Sequence, residues 1–332
     1  MKINKRTGFV ETHNNASHAN YNFYSVKTHY YGALREIWLL SFVVLLFSCS
    51  SSETDILSIK KLIEEGDISQ AEQQIHLVLG QDSSNVELNI LYADLLLKKG
   101  EYKNAYHFLN RARNFDSTNV EVNLKLSEFH LYLGQFEKSI ASANDVLKKQ
   151  RNSAKAYFLK GMSYKEFGDT AKAFSNFQTA VEQDANYYEA FVQLGILASA
   201  MHDSTSVQYF DNALLLKPSS SEAFFNKAYF YQKHGAPNKA INTYARITPG
   251  TSFYGRAVYN SGVLFFEQGK LDKAKQMFDI AVQYNNAKAH YMLGLISELK
   301  GDVVSARMSF EKCLTIDSHF EKAKQKLIRL RY

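Results

Sequence analysis

From about residue 55 onward, apolar residues recur at steps of three, four and seven, in runs that a glycine repeatedly interrupts. In the stretch 154–187, Tyr157, Gly161 and Tyr164 precede Gly168, and Ala173, Phe177 and Ala180 follow it. With 3.6 residues per turn, this spacing collects the apolar and small positions on one face of each of two helices. Glycine fits the reversal between them because it reaches positive φ without a Cβ clash. The predicted unit is helix, short turn, helix.

The unit recurs with a fixed beat. Gly66, Gly100, Gly134 and Gly168 fall 34 residues apart, His202 holds the next place, and Gly235, Gly269 and Gly301 continue the series. A period of this length marks a solenoid. Small residues recur at the eighth position (Ala93, Ser127, Gly161, Gly195, Ala228, Gly262, Gly294) and at the twentieth (Ala71, Ala105, Ser139, Ala173, Ala240, Ala274, Ala306). Paired helices approach closely only where side chains are small, and a bulky residue there overpacks the joint by about 1–3 kcal/mol. Eight units are expected: 53–85, 86–119, 120–153, 154–187, 188–220, 221–254, 255–286 and 287–318. A last helix from Phe320 to Arg331, charged on its outer side, caps the array over 319–332.

The pattern resembles the tetratricopeptide repeat family, whose unit reads aromatic-x2-Leu-Gly-x2-Tyr, then Ala-x3-Phe. Here Tyr157-x2-Lys160-Gly161-x2-Tyr164 is followed by Ala173-x3-Phe177, and Phe224-x2-Lys227-Ala228-x2-Tyr231 by Ala240-x3-Tyr244. Phe191-x2-Leu194-Gly195, and Leu293-Gly294 with Ala306-x3-Phe310, repeat it. The resemblance covers residues 53 to 332. It implies an all-α, right-handed superhelical solenoid of about eight helix-turn-helix units plus a C-terminal capping helix. The first unit departs most, with Asp55, Ser58 and Ile59 at the aromatic, Leu and Gly places.

Three irregularities interrupt the array. His202 replaces glycine in unit five, which reads as a drifted turn because histidine tolerates left-handed geometry better than most residues. Unit six is expected to end early at Thr248-Pro249-Gly250, since proline cannot continue a helix. Unit seven is short at Asn285-Asn286. One continuous array with kinks is the first reading, and two lobes hinged near 249–254 is the other.

The N-terminal 54 residues follow different rules. The apolar run Ile37–Phe47 is shorter than a membrane-spanning helix needs, follows Arg35, and ends in Leu46-Phe47-Ser48-Cys49. This resembles a bacterial lipoprotein signal peptide over 34–48, with Cys49 as the acylated residue and 49–54 as a tether. Phe47 is bulkier than is usual at its place. The resemblance implies an envelope protein attached to membrane through lipid on Cys49, and Ser50 matches the choice for the outer membrane, facing the periplasm. A membrane-anchor helix with an incidental cysteine is the competing reading. Residues 1–33 are polar, rich in His, Asn and Tyr, and without periodicity; we read them as a start-site artefact, with initiation at Leu34, or as disordered.

Charge and chemistry narrow the function. The net charge is +6, half of it in the first 48 residues, so the repeat body is nearly balanced. No basic stripe with interleaved aromatics occurs, which speaks against nucleic acid as a partner. Two cysteines, Cys49 and Cys313, exclude a disulfide framework, and Cys313 takes a small apolar core position. No His-x3-His pair, Cys-x2-Cys, nucleophile elbow or phosphate loop stands in the repeats, so no cofactor, metal or catalytic activity is expected. His130 and His290 fall on core-facing or half-buried positions.

In tetratricopeptide proteins the first helix of each pair lines a concave groove. Carried over by position, the lining here includes Phe158, Met162, Gln193, Phe225, Asn226, Tyr229, Arg256, Tyr259, Asn260, Phe266 and Tyr291. Gln193, Asn226 and Asn260 share one position in three successive units. Such amides suit the backbone of an extended peptide, because an amide donates and accepts at once; a polar spacer between core residues is the alternative. The function that follows is a non-enzymatic, membrane-tethered scaffold that holds a peptide or helix of a partner protein, in envelope assembly, secretion or motility. The alternative is a regulator without chemistry of its own, docked on an envelope hydrolase or sensor.

Overall fold

The computed structural model describes residues 55–330. Cys49, the segments read as a signal peptide (34–48) and a tether (49–54), and residues 1–33 lie outside the described residues. The fold is an all-α solenoid built from consecutive helix pairs, and no strand occurs among the described residues. By compactness the chain divides between Phe115 and Asp116. The segment 249–254 lies inside the second unit and is not the point of division.

The first unit holds α1 (55–65), α2 (Ile68–Gln81), α3 (Val86–Lys98) and α4 (Tyr102–Phe115). The second holds α5 (Val120–Tyr132), α6 (Phe136–Lys149), α7 (Ala154–Phe167), α8 (Thr170–Gln183), α9 (Tyr188–Ala200) and α10 (Thr205–Leu216). It continues through α11 (Ser221–Lys233), α12 (Pro237–Tyr244), α13 (Tyr254–Glu267), α14 (Leu271–Ala281), α15 (Ala287–Leu299), α16 (Val303–Ile316) and α17 (Glu321–Arg329). Odd-numbered helices are the first members of each repeat and even-numbered ones the second. Within the second unit each helix packs on the next, and successive first helices also touch directly: α5 with α7, α9 with α11, α11 with α13. These contacts place α9, α11 and α13 side by side on one face.

Short polar residues start these helices. Asn85, Asn119, Ser153, Ser220 and Asn286 accept from the backbone N–H three residues on and begin first helices. Asp67, Asp169 and Asp302 do the same for second helices. Each such cap contributes about 1 kcal/mol by satisfying an otherwise orphaned donor. The glycine turns close as the spacing predicts. Gly168 has φ 89°, its N–H reaches the Lys165 carbonyl, and the Asp169 N–H reaches back to the Tyr164 carbonyl.

The eighth-position glycines face rings. A Cβ on Gly161, Gly195, Gly262 or Gly294 would stand 2.5–2.6 Å from the nearest atom of Phe177, Phe210, Phe278 or Phe310. Those four rings are fully buried. Where the first-helix residue is larger, its partner sixteen residues on differs: Ala93 goes with Leu109 and Ser127 with Ala143, and all four are buried. Ala228 keeps an aromatic, Tyr244, on the shortened α12. Inter-repeat ion pairs such as Lys155–Glu128 (2.6 Å) and Lys300–Asp272 (2.7 Å) lie on exposed edges, where each contributes little.

The irregular positions resolve in physical terms. His202 adopts φ 58°, the left-handed geometry expected of a residue in a glycine's place, and Asn285 adopts φ 54° after the short 3-10 turn Val282–Tyr284. Unit six stops sooner than its proline requires: α12 ends at Tyr244, and i→i+3 bonds at Arg246 and Ile247 tighten the chain before Pro249. Cys313 and His130 are buried and His290 is half-buried, as their positions predict. Burial pushes the Cys313 thiol up to about 11. The final helix packs Ala323, Leu327 and Leu330 on the last repeat.

Candidate functional site

The candidate lining residues stand on α7, α9, α11, α13 and α15, and the structure sorts them into two sets. One set is engaged in packing. Phe158, Phe225, Tyr259 and Tyr291 each lie against the aromatic ring nineteen residues on, in the second helix of the same repeat, with centroids 5.5–5.8 Å apart. Three of them also meet a ring from the loop that leads to the next repeat: Phe158 with Tyr187, Phe225 with Phe253, Tyr291 with Phe320. Phe225, expected as an open groove residue, is only 4% exposed. Met162 packs on the Phe177 cluster and Phe266 on the Phe278 cluster, both half-buried. These side chains form the floor of the first-helix face.

The second set remains accessible and gathers around α11. Tyr229 is 41% exposed and stacks parallel to Phe225. A cation covers each ring of this stack: Lys233 Nζ lies 5.4 Å from the Tyr229 centroid, and the Arg256 guanidinium lies 4.4 Å from that of Phe225. Arg256 and Lys233 are both exposed. Contacts of this kind contribute about 0.5–1 kcal/mol at open sites and favour these positions of the cations.

The three amides differ in what they are bonded to. Gln193 Oε1 accepts from Lys165 Nζ at 3.0 Å. Asn260 Nδ2 donates to the Tyr244 hydroxyl at 3.0 Å, which donates in turn to Gln232 Oε1 at 2.9 Å. Burial pushes the Tyr244 phenol up to about 12, and burial also raises that of Tyr259. Asn226 makes no hydrogen bond among the described residues. It is half-buried and lines a cleft of about 450 Å³ with Ile196, Ser199, Ala200, His202, Phe210, Tyr229, Lys233 and His234. The cleft lies between α9 and α11, against Phe210 of α10, with mostly apolar walls, one unspent amide and the Lys233 cation at its edge.

Two of these wall residues escaped the sequence reading. His202 stands out in the sequence only as a residue in a glycine's place, and nothing there singles out His234. Their 32-residue separation, close to one repeat, is the signal that puts their side chains at neighbouring turns. Two buried asparagines were also missed. Asn89 and Asn123 occupy the place of the repeat's first aromatic, and their amide nitrogens donate to carbonyls of the preceding loop.

No group of three or more His, Cys, Asp or Glu is arranged to hold a metal among the described residues, and no described helix is long and apolar enough to cross a membrane. Residues 62–117, 154–187 and 259–318 match the tetratricopeptide repeat family. No curated protein matches the chain. Among solved structures, the C-terminal part of a tetratricopeptide repeat-containing protein from Cytophaga hutchinsonii is similar over 72% of this chain and 99% of its own, with 14% identity and a TM-score of 0.59. PilF of Pseudomonas aeruginosa is similar over 63% of this chain and 96% of its own (14% identity, TM-score 0.52). A tetratricopeptide repeat protein from Parabacteroides merdae is similar over 74% of this chain and 99% of its own (18% identity, TM-score 0.51). The repeat matches support a tetratricopeptide repeat protein, a kind of fold that serves as a protein-binding scaffold and is typically non-catalytic.

Proposed function

We propose that this chain is a membrane-tethered scaffold that holds an extended segment of a partner protein across the first-helix face of repeats five to seven. The observation that carries the reading is the Asn226 amide, unbonded in an apolar cleft beside the Phe225–Tyr229 stack. An amide there offers a donor and an acceptor to a peptide bond. Apolar clefts with a few convergent polar groups are the usual form of a binding site, and exposed tyrosine beside arginine is typical of the residues that dominate binding energy. The Arg256 and Lys233 cations favour a segment that carries carboxylates.

Attachment rests on the sequence Leu46-Phe47-Ser48-Cys49, read as a lipoprotein signal with acylation at Cys49. By this reading the protein belongs to a bacterial envelope, on the outer membrane facing the periplasm. Two or more acyl chains anchor stably where one does not.

One experiment addresses the binding face. A photo-reactive residue in place of Tyr229 is expected to cross-link a defined segment of one partner in living cells. The same residue in place of Leu215, exposed on the second helix α10, should not. Equal recovery of the same partner from both sites would refute the first-helix face as the site of binding. For the tether, Cys49→Ala should move the protein from the membrane to the soluble fraction; unchanged partition rules out lipid on Cys49 as the anchor.

A further inference from the structure

We propose that His202 and His234 form a two-histidine site for a divalent transition-metal ion of the class that imidazole binds, with Zn²⁺ as the probe. The two residues follow α9 and α11, and repeat stacking brings their rings together: His202 Nδ1 lies 3.4 Å from His234 Nε2, with ring centroids 5.4 Å apart. Zinc–imidazole bonds are about 2.0–2.1 Å, so two nitrogens at this separation subtend about 112° at an ion between them, close to tetrahedral. Both side chains are exposed at the mouth of the Asn226 cleft, so an ion reaches them from solvent.

His234 is prepared for the role. Its Nδ1 lies 2.8 Å from the Phe230 carbonyl, which only accepts, so Nδ1 carries the proton and Nε2 presents its lone pair toward His202. A backbone carbonyl behind the ligating ring is the common outer-shell support of metal-bound histidine. The ring is further fixed by stacking on Phe230, with centroids 3.9 Å apart. Without metal, His202 Nδ1–H donates into that lone pair. On binding, neutral His202 shifts its proton to Nε2 and the ion takes its place between the rings, with no net proton released.

His202 is also a costly residue at its position. It holds φ 58° where the corresponding turns of the other repeats use glycine. Unfavourable backbone geometry of this sort collects at functional sites. The neighbouring charges are accounted for: Asp203 Oδ1 accepts from the Thr205 N–H, and Lys233 Nζ sits over the Tyr229 ring. No third His, Cys, Asp or Glu completes the set among the described residues, which leaves the remaining coordination positions to water or to a bound partner.

The test is calorimetric titration of Zn²⁺ into tag-free full-length chain stripped with chelator. The wild type is expected to bind one Zn²⁺ that both His202→Gly and His234→Asn weaken at least tenfold. His319→Asn, an exposed histidine elsewhere, should leave that event unchanged. Glycine is the residue of the other turns, and asparagine keeps a donor toward the Phe230 carbonyl, so both variants should fold, as circular dichroism would verify. Absence of the event in the wild type, its persistence in either variant, or an equal loss in His319→Asn would each overturn the proposal.

Discussion

Gly195→Ala separates helix propensity from helix-to-helix spacing, because the two effects carry opposite signs. Gly195 lies inside α9, where alanine is preferred over glycine by about 0.8–1 kcal/mol. The added Cβ, however, would stand 2.5, 2.7 and 2.8 Å from three atoms of the Phe210 ring. Carbon atoms rest at about 3.5–4.0 Å, so the ring or the helix must shift by about 1 Å. Phe210 is fully buried, and overpacking of this kind costs about 1–3 kcal/mol. The expected net effect is a loss of about 1 kcal/mol. Gly80→Ala is the control: Gly80 also lies in a helix, nothing stands within 4 Å of its missing Cβ, and stability should rise by a fraction of a kcal/mol. Adding Phe210→Leu to Gly195→Ala recreates the pairing of Ala93 with Leu109, and should cost less than the two single changes together. Urea unfolding followed by circular dichroism supplies the midpoints. Amide exchange in α9 and α10 localises the effect, since repeats of a solenoid need not unfold as one unit. If Gly195→Ala and Gly80→Ala stabilise equally, the ring above Gly195 does not set the spacing and the reasoning fails.

Asn226→Ala should lower partner capture with unchanged thermal stability, whereas Asn260→Ala, which breaks the bond to Tyr244, should cost about 1 kcal/mol; similar melting curves for the two would contradict this division. Stability should fall between pH 10 and pH 12, because Tyr187 and Tyr244 are pushed up to about 12 by burial from the ordinary value of 10. The folded state holds these phenols neutral, so their contribution is complete below the unfolded value and is lost as pH rises through the folded one; tyrosinate absorbance titrating wholly near pH 10 in the folded protein would exclude it. Asn285→Gly should stabilise by a few tenths of a kcal/mol or more, since φ 54° suits glycine better, and a lower melting temperature would show that the Asn285 side chain matters to the turn.

The repeat and its register are legible in the residues because both are local. Helical spacing, a glycine at each reversal and small residues at the eighth position act within one unit, and the structure places helices, left-handed turns and buried rings at the expected points. The capping role of Asn85, Ser153 and Asp169 is equally local, though it is easily passed over beside the glycines. The early end of α12 was not legible, because it comes from i→i+3 bonds that tighten the chain before the proline.

The site is a different matter. Position in the repeat marks Phe225, Tyr229, Asn226 and Asn260 alike as lining residues, yet Phe225 is buried beneath Arg256 and Asn260 is bonded to Tyr244, while Tyr229 and Asn226 face an open cleft. The approach of His202 to His234 depends on how two repeats stack. The amino-acid sequence by itself determines which face of each helix turns inward, since that follows from spacing along a single turn. Only the tertiary structure decides which inward side chains are satisfied and which stay available, since that depends on distances between residues about one repeat apart, and those are set by packing across helices.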